Sequence, residues 1–481
     1  MKMPILGQAY VARSVNAADN QLINLYPEAT PDAGKTSGFL TRAPGLRLLA
    51  TVGYGPIRGM WQFNNLAFVV SGEELYSLDA GWTATKVGDL TGSGTGPVSI
   101  TDNGTLMFIA CNPKGYIYDS STSTLTEITD PDFKGAVTVG FLDGYFIYNQ
   151  PNSQKVWATE LYSSAIDPLS FASAEGSPDN LVALIVDHRE AWLFGTNTVE
   201  VWYNTGGTTA TSFPLERIQG AFNEIGCAAP YSVAKMDNCL FWLGADARGQ
   251  GIIYRAQGYT GQRISTHAVE TAIQAYANLS DAIGYTYQQE GHSFYVLTFP
   301  SANVTWVYDV ATSMWHVRAG FENGQFVRHR SNCQMAFNNE IVVGDYANGN
   351  IYAFDQTVYK DYDQPQKWLR SFRALPTDQN NLKRTSQHLV QIDCESGVGL
   401  NGTVQGSTPM MMLRWSDDGG HTWSNEHWSP MGKVGGYGTR VMFRRLGMTL
   451  KLRDRVYEIS GTDPVKITIM GAELIASGTN A

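Results

Sequence analysis

The sequence predicts an all-β protein: a six- or seven-bladed β-propeller with an N-terminal arm and a C-terminal β-sandwich-like domain. Three observations predict it. Composition is the first: of 481 residues, 16% are charged, 12% are aromatic and 49 are glycine. An average soluble protein has roughly 25% charged residues and about 7% glycine. The second is a set of Asn, Asp and Gly turn pairs recurring between short apolar runs. The third is that both ends of the chain lack this recurrence. The same composition excludes disorder, which needs high charge and few aromatics, and coiled coil, which needs Ala, Glu, Lys and Leu in bulk. The net charge of −10 argues against nucleic-acid binding over the whole surface but leaves room for a local basic patch. Sparse charge with abundant Tyr and Trp is also the composition of interface cores.

Residues 1–53 show no repeat. Gln21-Leu22-Ile23-Asn24-Leu25-Tyr26-Pro27-Glu28 leads into a polar stretch, and Pro27 and Pro31 make the segment extended rather than helical. It reads as an arm, either the strand that closes a ring or a lead that docks on another subunit. Its candidate docking residues are Tyr10, Arg13, Asn24, Leu25 and Tyr26.

Residues 54–357 carry the repeat. Its turns are Asn64-Asn65, Asn103-Gly104, Asp143-Gly144, His188-Arg189, Asp237-Asn238, Glu290-Gly291 and Asn338-Asn339. Asn-Gly and Asp-Gly favour type I′ hairpins, in which both central residues need positive φ. An apolar run such as Leu66-Ala67-Phe68-Val69-Val70 follows each turn, and then a strand ending in Tyr or Trp, as in Val201-Trp202-Tyr203. The turns lie 39 to 53 residues apart, and four-stranded propeller blades repeat at about 40 to 50. Continuous apolar runs suit strands buried on both faces. Each blade would bury its faces on its neighbours, and ring closure would leave only short edges. A set of hairpins in one or two sandwiches is the plainer alternative. Ser163–Asn180 and Thr205–Ala228 read as protruding loops. Thr266–Ala277 reads as a helix, from the spacing of Ala268, Val269, Ala272, Ile273 and Tyr276.

Residues 358–481 differ again. Gln364–Lys383 reads as a polar boundary. Strand-like runs follow at Ser386–Ile392, Met410–Trp415, Thr439–Phe443, Thr449–Leu452 and Val465–Met470.

Two motifs stand out in this last unit. Ser416-Asp417-Asp418-Gly419-Gly420-His421-Thr422-Trp423 fits an Asp box, carried by Ser416, Asp418, Gly420, Thr422 and Trp423. The two acceptors would bond backbone groups, the glycines would take positive φ and Trp423 would pack inward. It resembles the structural turn of sialidases and many other β proteins. A basic run follows, with Arg440, Arg444, Arg445, Lys451 and Arg453 as candidate contacts to a partner or a passing DNA backbone. A solvated strand face is the alternative.

No GxSxG, HExxH or P-loop occurs, and the eight histidines scatter through turns and polar surroundings. Five cysteines, odd in number and widely spaced, fit reduced thiols and no metal set. The expectation is a protein without catalytic residues, metal or cofactor. No run of apolar residues is long enough to span a membrane, and Met1–Tyr10 lacks the pattern of a secretory signal.

Three segments resemble the tail hub or nozzle proteins of short-tailed bacteriophages, also called packaged-DNA stabilisation proteins or tail accessory factors. They are Tyr10-Val11-Ala12-Arg13-Ser14 with Asn24-Leu25-Tyr26-Pro27-Glu28 and Pro44-Gly45-Leu46; Asn180-Leu181-Val182 through Trp192-Leu193-Phe194-Gly195 to Glu200–Gly206; and Trp415–Gly419 with Arg444-Arg445-Leu446-Gly447. The resemblance implies a non-enzymatic virion component that forms a homohexameric ring below the portal and its adaptor. Such a ring extends the channel for double-stranded DNA without sequence-specific binding, retains the packaged genome and docks a tail needle, tailspikes or fibres. It implies a place in the virion tail and assembly in the host cytoplasm. A carbohydrate-binding or sialidase-like propeller is the alternative, because a propeller's funnel is a usual ligand site. A third reading is a propeller adaptor of a bacterial cell.

Overall fold

The computed structural model describes the chain except residues 16, 32–33, 175, 207–212, 247, 374–383, 450–454 and 479–481. Among the described residues, antiparallel sheets form a ring of seven blades. Blade 1 is Ile57–Phe63, Leu66–Ser71, Glu74–Leu78 and Ala84–Asp89, ordered from axis to rim. Blades 2, 3 and 4 begin at Ser99–Asp102, Val139–Leu142 and Leu181–Asp187 and repeat this order. Blade 5 divides its inner position between Gly226–Cys227 and Ala234–Met236, which both pair with Cys239–Asp246. Blades 6 and 7 begin at Ile283–Gln289 and Ser331–Phe337.

The chain supplies only three consecutive strands for blade 7. The fourth comes from the other end: Gly45–Thr51 pairs with Asn350–Asp355, from Asp355↔Gly45 to Asn350↔Thr51. That resolves the blade count as seven and explains why the sequence repeat stops one strand short. Buried apolar clusters fill the seven contacts between neighbouring blades, from the blade 1–2 contact of Phe63, Phe68, Met107 and Ile109 to the blade 7–1 contact of Ile57, Val69, Val342 and Ile351. Closing the ring therefore buries both faces of every blade, as the unbroken apolar runs require.

Six of the seven turns take positive φ at both central residues, His188 (50°) and Arg189 (61°) included. Asn103-Gly104, the strongest type I′ signal by sequence, is the exception: only Gly104 is positive. The Asn103 side chain accepts from the Thr105 and Leu106 amides (3.0 and 2.7 Å), which stretches that loop to four residues between the Asp102↔Met107 pair. Local side-chain bonding outcompetes the dipeptide preference there.

Two expectations need correction. The supposed loops Ser163–Asn180 and Thr205–Ala228 contain the rim strands Ile166–Ser173 and Leu215–Asn223. A rim strand has one wet edge and a polar face, so it carries little apolar signal. The supposed polar boundary contains Trp368–Arg373, whose first five residues are buried. Of the expected run Thr449–Leu452, all but Thr449 lies outside the described residues. The helix forms over His267–Gln274, with the Thr266 hydroxyl accepting from the Val269 amide.

The sandwich is built from both chain ends. One sheet holds Leu22–Ile23, Trp368–Arg373, Val456–Gly461, Met410–Ser416 and His427–Pro430, and it continues from blade 6 through the parallel pair Val317↔Ile23. The other holds Val441–Arg444, Thr385–Cys394, Thr468–Gly478, Gly38–Arg42 and Leu25–Ala29, with Lys2–Met3 on the Thr468–Gly478 strand. Their core of Leu25, Leu40, Val390, Leu413, Ile459 and Ile469 is continuous with the blade 5–6 contact. Of the first 53 residues, therefore, Gly45–Thr51 completes a blade and the strands between Leu22 and Arg42 lie in the sandwich.

Candidate interaction surfaces

The inner strands converge on a cavity of about 430 Å³ at the propeller axis, lined by all seven blades. Bare glycines set its tightness. A Cβ on Gly59 would stand 2.4 Å from Val98 Cγ2, and one on Gly140 would stand 2.6 Å from Val186 Cγ2. Among the described residues lining it there is no Asp or Glu. Its arginine, Arg58, is buried and donates to the Gly96, Gly72 and Ser93 carbonyls and the Ser93 hydroxyl at 2.6–2.9 Å. The funnel thus lacks the paired carboxylates that most glycoside hydrolases use.

The Asp-box residues close the hairpin between Met410–Ser416 and His427–Pro430. The Ser416 hydroxyl donates to Asp418 Oδ1 (2.6 Å) and accepts from the Gly420 amide (2.8 Å). The Thr422 amide and hydroxyl both donate to Asp418 (2.8 and 2.6 Å). These bonds, the Ser416 one foremost, hold the Asp418 carboxyl well below the usual carboxylate range. Gly419 and Gly420 take φ of 78° and 101°. Trp423 is half-buried, with the Arg414 guanidinium 4.7 Å from its ring. A Cβ on Gly420 would meet Asp19 Oδ2 at 2.9 Å, so the turn packs on the N-terminal segment.

The N-terminal candidates separate. Tyr10, half-buried, and Arg13, exposed, lie at the edge of a cavity beside the helix, with Arg263 and Glu270. Asn24, Leu25 and Tyr26 are buried within the chain itself. Asn24 sits at φ 54°, at the corner where the chain leaves one sandwich sheet for the other. Its amide donates to the Ala319 carbonyl (2.8 Å) and the Lys367 carbonyl (2.7 Å) and accepts from the Ala319 amide (3.0 Å). One side chain thereby imitates a backbone pair and ties blade 6 to the C-terminal sheet. The Tyr26 ring meets His292 and Phe294 edge-on at 5.1 and 5.3 Å.

Arg440, Arg444 and Arg445 are exposed along the edge strand Val441–Arg444, beside buried Val441 and Phe443. Lys451 and Arg453 lie outside the described residues. Sequence reasoning overlooked two buried arginines that join the chain ends. Arg42 donates to the carbonyls of Asp463, Val465, Tyr359 and Gln366 and to Gln366 Oε1. Arg370 donates to the Ile5 carbonyl at 2.8 Å. The only sequence signal for either is an arginine inside an otherwise apolar run.

Two adjoining family models match this chain. One described as Bacteriophage P22 Gp10, β-propeller, covers residues 1–359, and one described as Bacteriophage P22 Gp10, β-sandwich, covers residues 372–477. The chain belongs to the bacteriophage P22 Gp10 family. The tail hub protein gp10 of Salmonella phage P22 is 22% identical over 467 residues, 93% of each chain. Solved structures with a similar arrangement include a virginiamycin B lyase from Staphylococcus aureus (10% identity, TM-score 0.44, 64% of this chain and 97% of the other). Another is the Pan2 WD40 domain of Neurospora crassa (10%, TM-score 0.42, 65% and 96%). Neither says anything of function. Within the Gp10 family frame, the N-terminal strands matched with the propeller pair in space with strands of the sandwich match.

Proposed function

We propose that this protein is a structural hub of a short phage tail, not an enzyme. Copies of it form a ring, sixfold by the family resemblance, below the portal–adaptor complex. The ring extends the DNA channel, retains the packaged genome and docks a tail needle, spikes or fibres, placing the protein in the virion tail. The observation that carries the reading is the match to the Gp10 family along both parts of the chain, with a tail hub protein similar over 93% of each length.

The funnel supports it physically. A cavity of about 430 Å³ is the size of a small-molecule site, roughly 300–1,000 Å³, and cannot pass a duplex. A DNA channel would have to lie between copies, which is what a ring supplies. The propeller is also acidic: residues 54–357 hold 14 Lys and Arg against 29 Asp and Glu, whereas residues 358–481 hold 15 against 12. An acidic wall repels phosphate and lets DNA slide. The test is to assemble phage particles without this protein. Filled heads should lose their DNA to nuclease and regain protection when the purified chain is added. Nuclease-resistant, infectious particles lacking the chain would sink the proposal.

A further inference from the structure

We propose that the sandwich border His427–Arg445 docks on the rim of blade 3 of a second copy, head to tail; this rests on the ring reading above and names its contact surface. The border is one continuous stretch. The edge strand of one sandwich sheet, His427–Pro430, runs through a loop into the edge strand of the other, Val441–Arg444, and the Met442 amide donates to Ser429 Oγ at 3.2 Å. From residue 427 to 445 it carries Lys433, Arg440, Arg444 and Arg445 and no Asp or Glu.

Three other cations of the sandwich are paired with acids: Arg414 with Glu458, Arg455 with Asp417 and Lys466 with Glu395. The four border cations make no ion pair with a described residue. Lone charges on an edge strand often serve only to prevent aggregation. That role does not account for Trp428 (58% exposed), Val434 and Tyr437 (78%) standing among them. Exposed aromatics beside Arg, without acids, are the composition of a protein-binding patch.

The complementary surface lies at the far side of the same chain. The sandwich is attached to blade 6 through the Val317↔Ile23 pair and to the blade 6–7 contact through Tyr26. Across a seven-membered ring, blade 3 faces them. Its rim strand Ile166–Ser173 ends its sheet with an open edge. That edge presents Leu169 (72% exposed) beside Asp167, and the turn leading into it, which exposes Glu160, Leu161 and Tyr162, folds back so that the Tyr162 amide donates to the Gly144 carbonyl (2.7 Å), within a propeller whose net charge is −15. Lys155, on the neighbouring strand Lys155–Thr159, is folded onto the Phe171 ring at 4.0 Å. Two unlike, complementary patches at opposite ends of one molecule cannot satisfy each other within it. They make a heterologous contact, which closes into a ring when the rotation allows.

The test is self-association of the full chain, by sedimentation velocity across a concentration series, with far-ultraviolet circular dichroism checking each fold. Arg440→Glu with Arg444→Glu and Arg445→Glu should weaken assembly by at least about tenfold, and so should Glu160→Arg with Leu169→Arg. Placing both sets in one chain should restore it to within about threefold. If the wild type assembles but the blade 3 variant assembles equally well, or the combined chain is not rescued, the docking proposal falls and the ring stands. If the border variant assembles normally and loses only its affinity for a short DNA duplex, the border is a DNA surface and the proposal falls. A wild type that stays monomeric overturns both.

Discussion

Asn24 is the side chain on which the joining of the chain ends most depends, because one buried amide serves two domains. Replacing it with Ala removes three hydrogen bonds and strands the buried Ala319 amide and carbonyl and the part-buried Lys367 carbonyl. Each stranded buried group costs about 1–3 kcal/mol. Ala at φ 54° adds about 1–2 kcal/mol of left-handed strain. The total is about 4–11 kcal/mol if the neighbourhood does not relax, and its lower end is the safer expectation. Asn24→Gly keeps the bond loss but relieves the strain, so it should recover about 1 kcal/mol. Asn24→Asp keeps an acceptor for the Ala319 amide but sets a carboxylate against two carbonyls, so it should rank with Ala. The assay is thermal unfolding followed by tryptophan fluorescence, since Trp368 and Trp315 are buried in the joined core. For a cooperative unit of 150–250 residues, a loss of about 4 kcal/mol lowers the midpoint by about 8–16 °C. An Asn24→Ala protein melting within about 2 °C of the wild type would refute the joint as described.

Three other outcomes follow from buried groups and from the chain's topology. Arg318 is buried with no acceptor on its guanidinium, held only among the rings of Tyr287, Phe294 and Phe354 at 5.1–5.4 Å. Arg318→Met should be neutral or stabilising by thermal melt, and a loss above about 2 kcal/mol would show that the charge is better compensated than this. Burial pushes the Asp361 carboxyl up to about 7, against about 3.9 in an unfolded chain. The folded state then holds a proton that the unfolded state has released, so this group's contribution to stability is full below about pH 4 and fades as pH rises to 7; Asp361→Asn should flatten that slope in urea titrations and stabilise the protein at pH 8. A chain cut after residue 357 should be less soluble with residues 1–42 than without them, because Leu22, Leu25 and Leu40 lose the sandwich they are buried in; equal solubility in a centrifugation assay would count against that packing.

The propeller was legible because its signal is local. A type I′ turn needs two residues of the right kind, and a doubly buried strand needs four or five apolar ones, so blades 1 to 7 each announce themselves within about 20 residues. The rim strands were not legible. Ile166–Ser173 holds Asp167 and Pro168 and buries only Ser170 fully. Trp368–Arg373 was masked by its two arginines, of which Arg370 is fully buried and finds its acceptors in the first 21 residues. A buried arginine is identified by its acceptors, and those are about 350–365 positions away. The Asp-box turn is a local structure, since the bonds of Ser416 and Asp418 fall within Ser416–Thr422, while Trp423, expected to pack inward, is half-buried. What the box touches, the Asp19 loop, was not legible.

The same separation in sequence governs how the molecule is completed. Gly45–Thr51 has no partner until Asn350–Asp355 exists, and Leu22–Ile23 has none until Trp368–Arg373 exists. The Met1 ammonium donates to the Leu474 carbonyl, so even the first residue waits for nearly the last. Six blades can form as the chain lengthens, each from contacts within about 50 residues, whereas ring closure and the sandwich depend on contacts of very long loop-closure entropy. Closure of the ring and formation of the sandwich are therefore late and linked, because the strand that closes blade 7 and the strands that enter the sandwich are separated only by Ala43 and Pro44. The border His427–Arg445 has no sheet to edge until that step is done. A surface that exists only on the finished subunit is a sound place for a contact between subunits, since incomplete chains cannot enter the assembly through it.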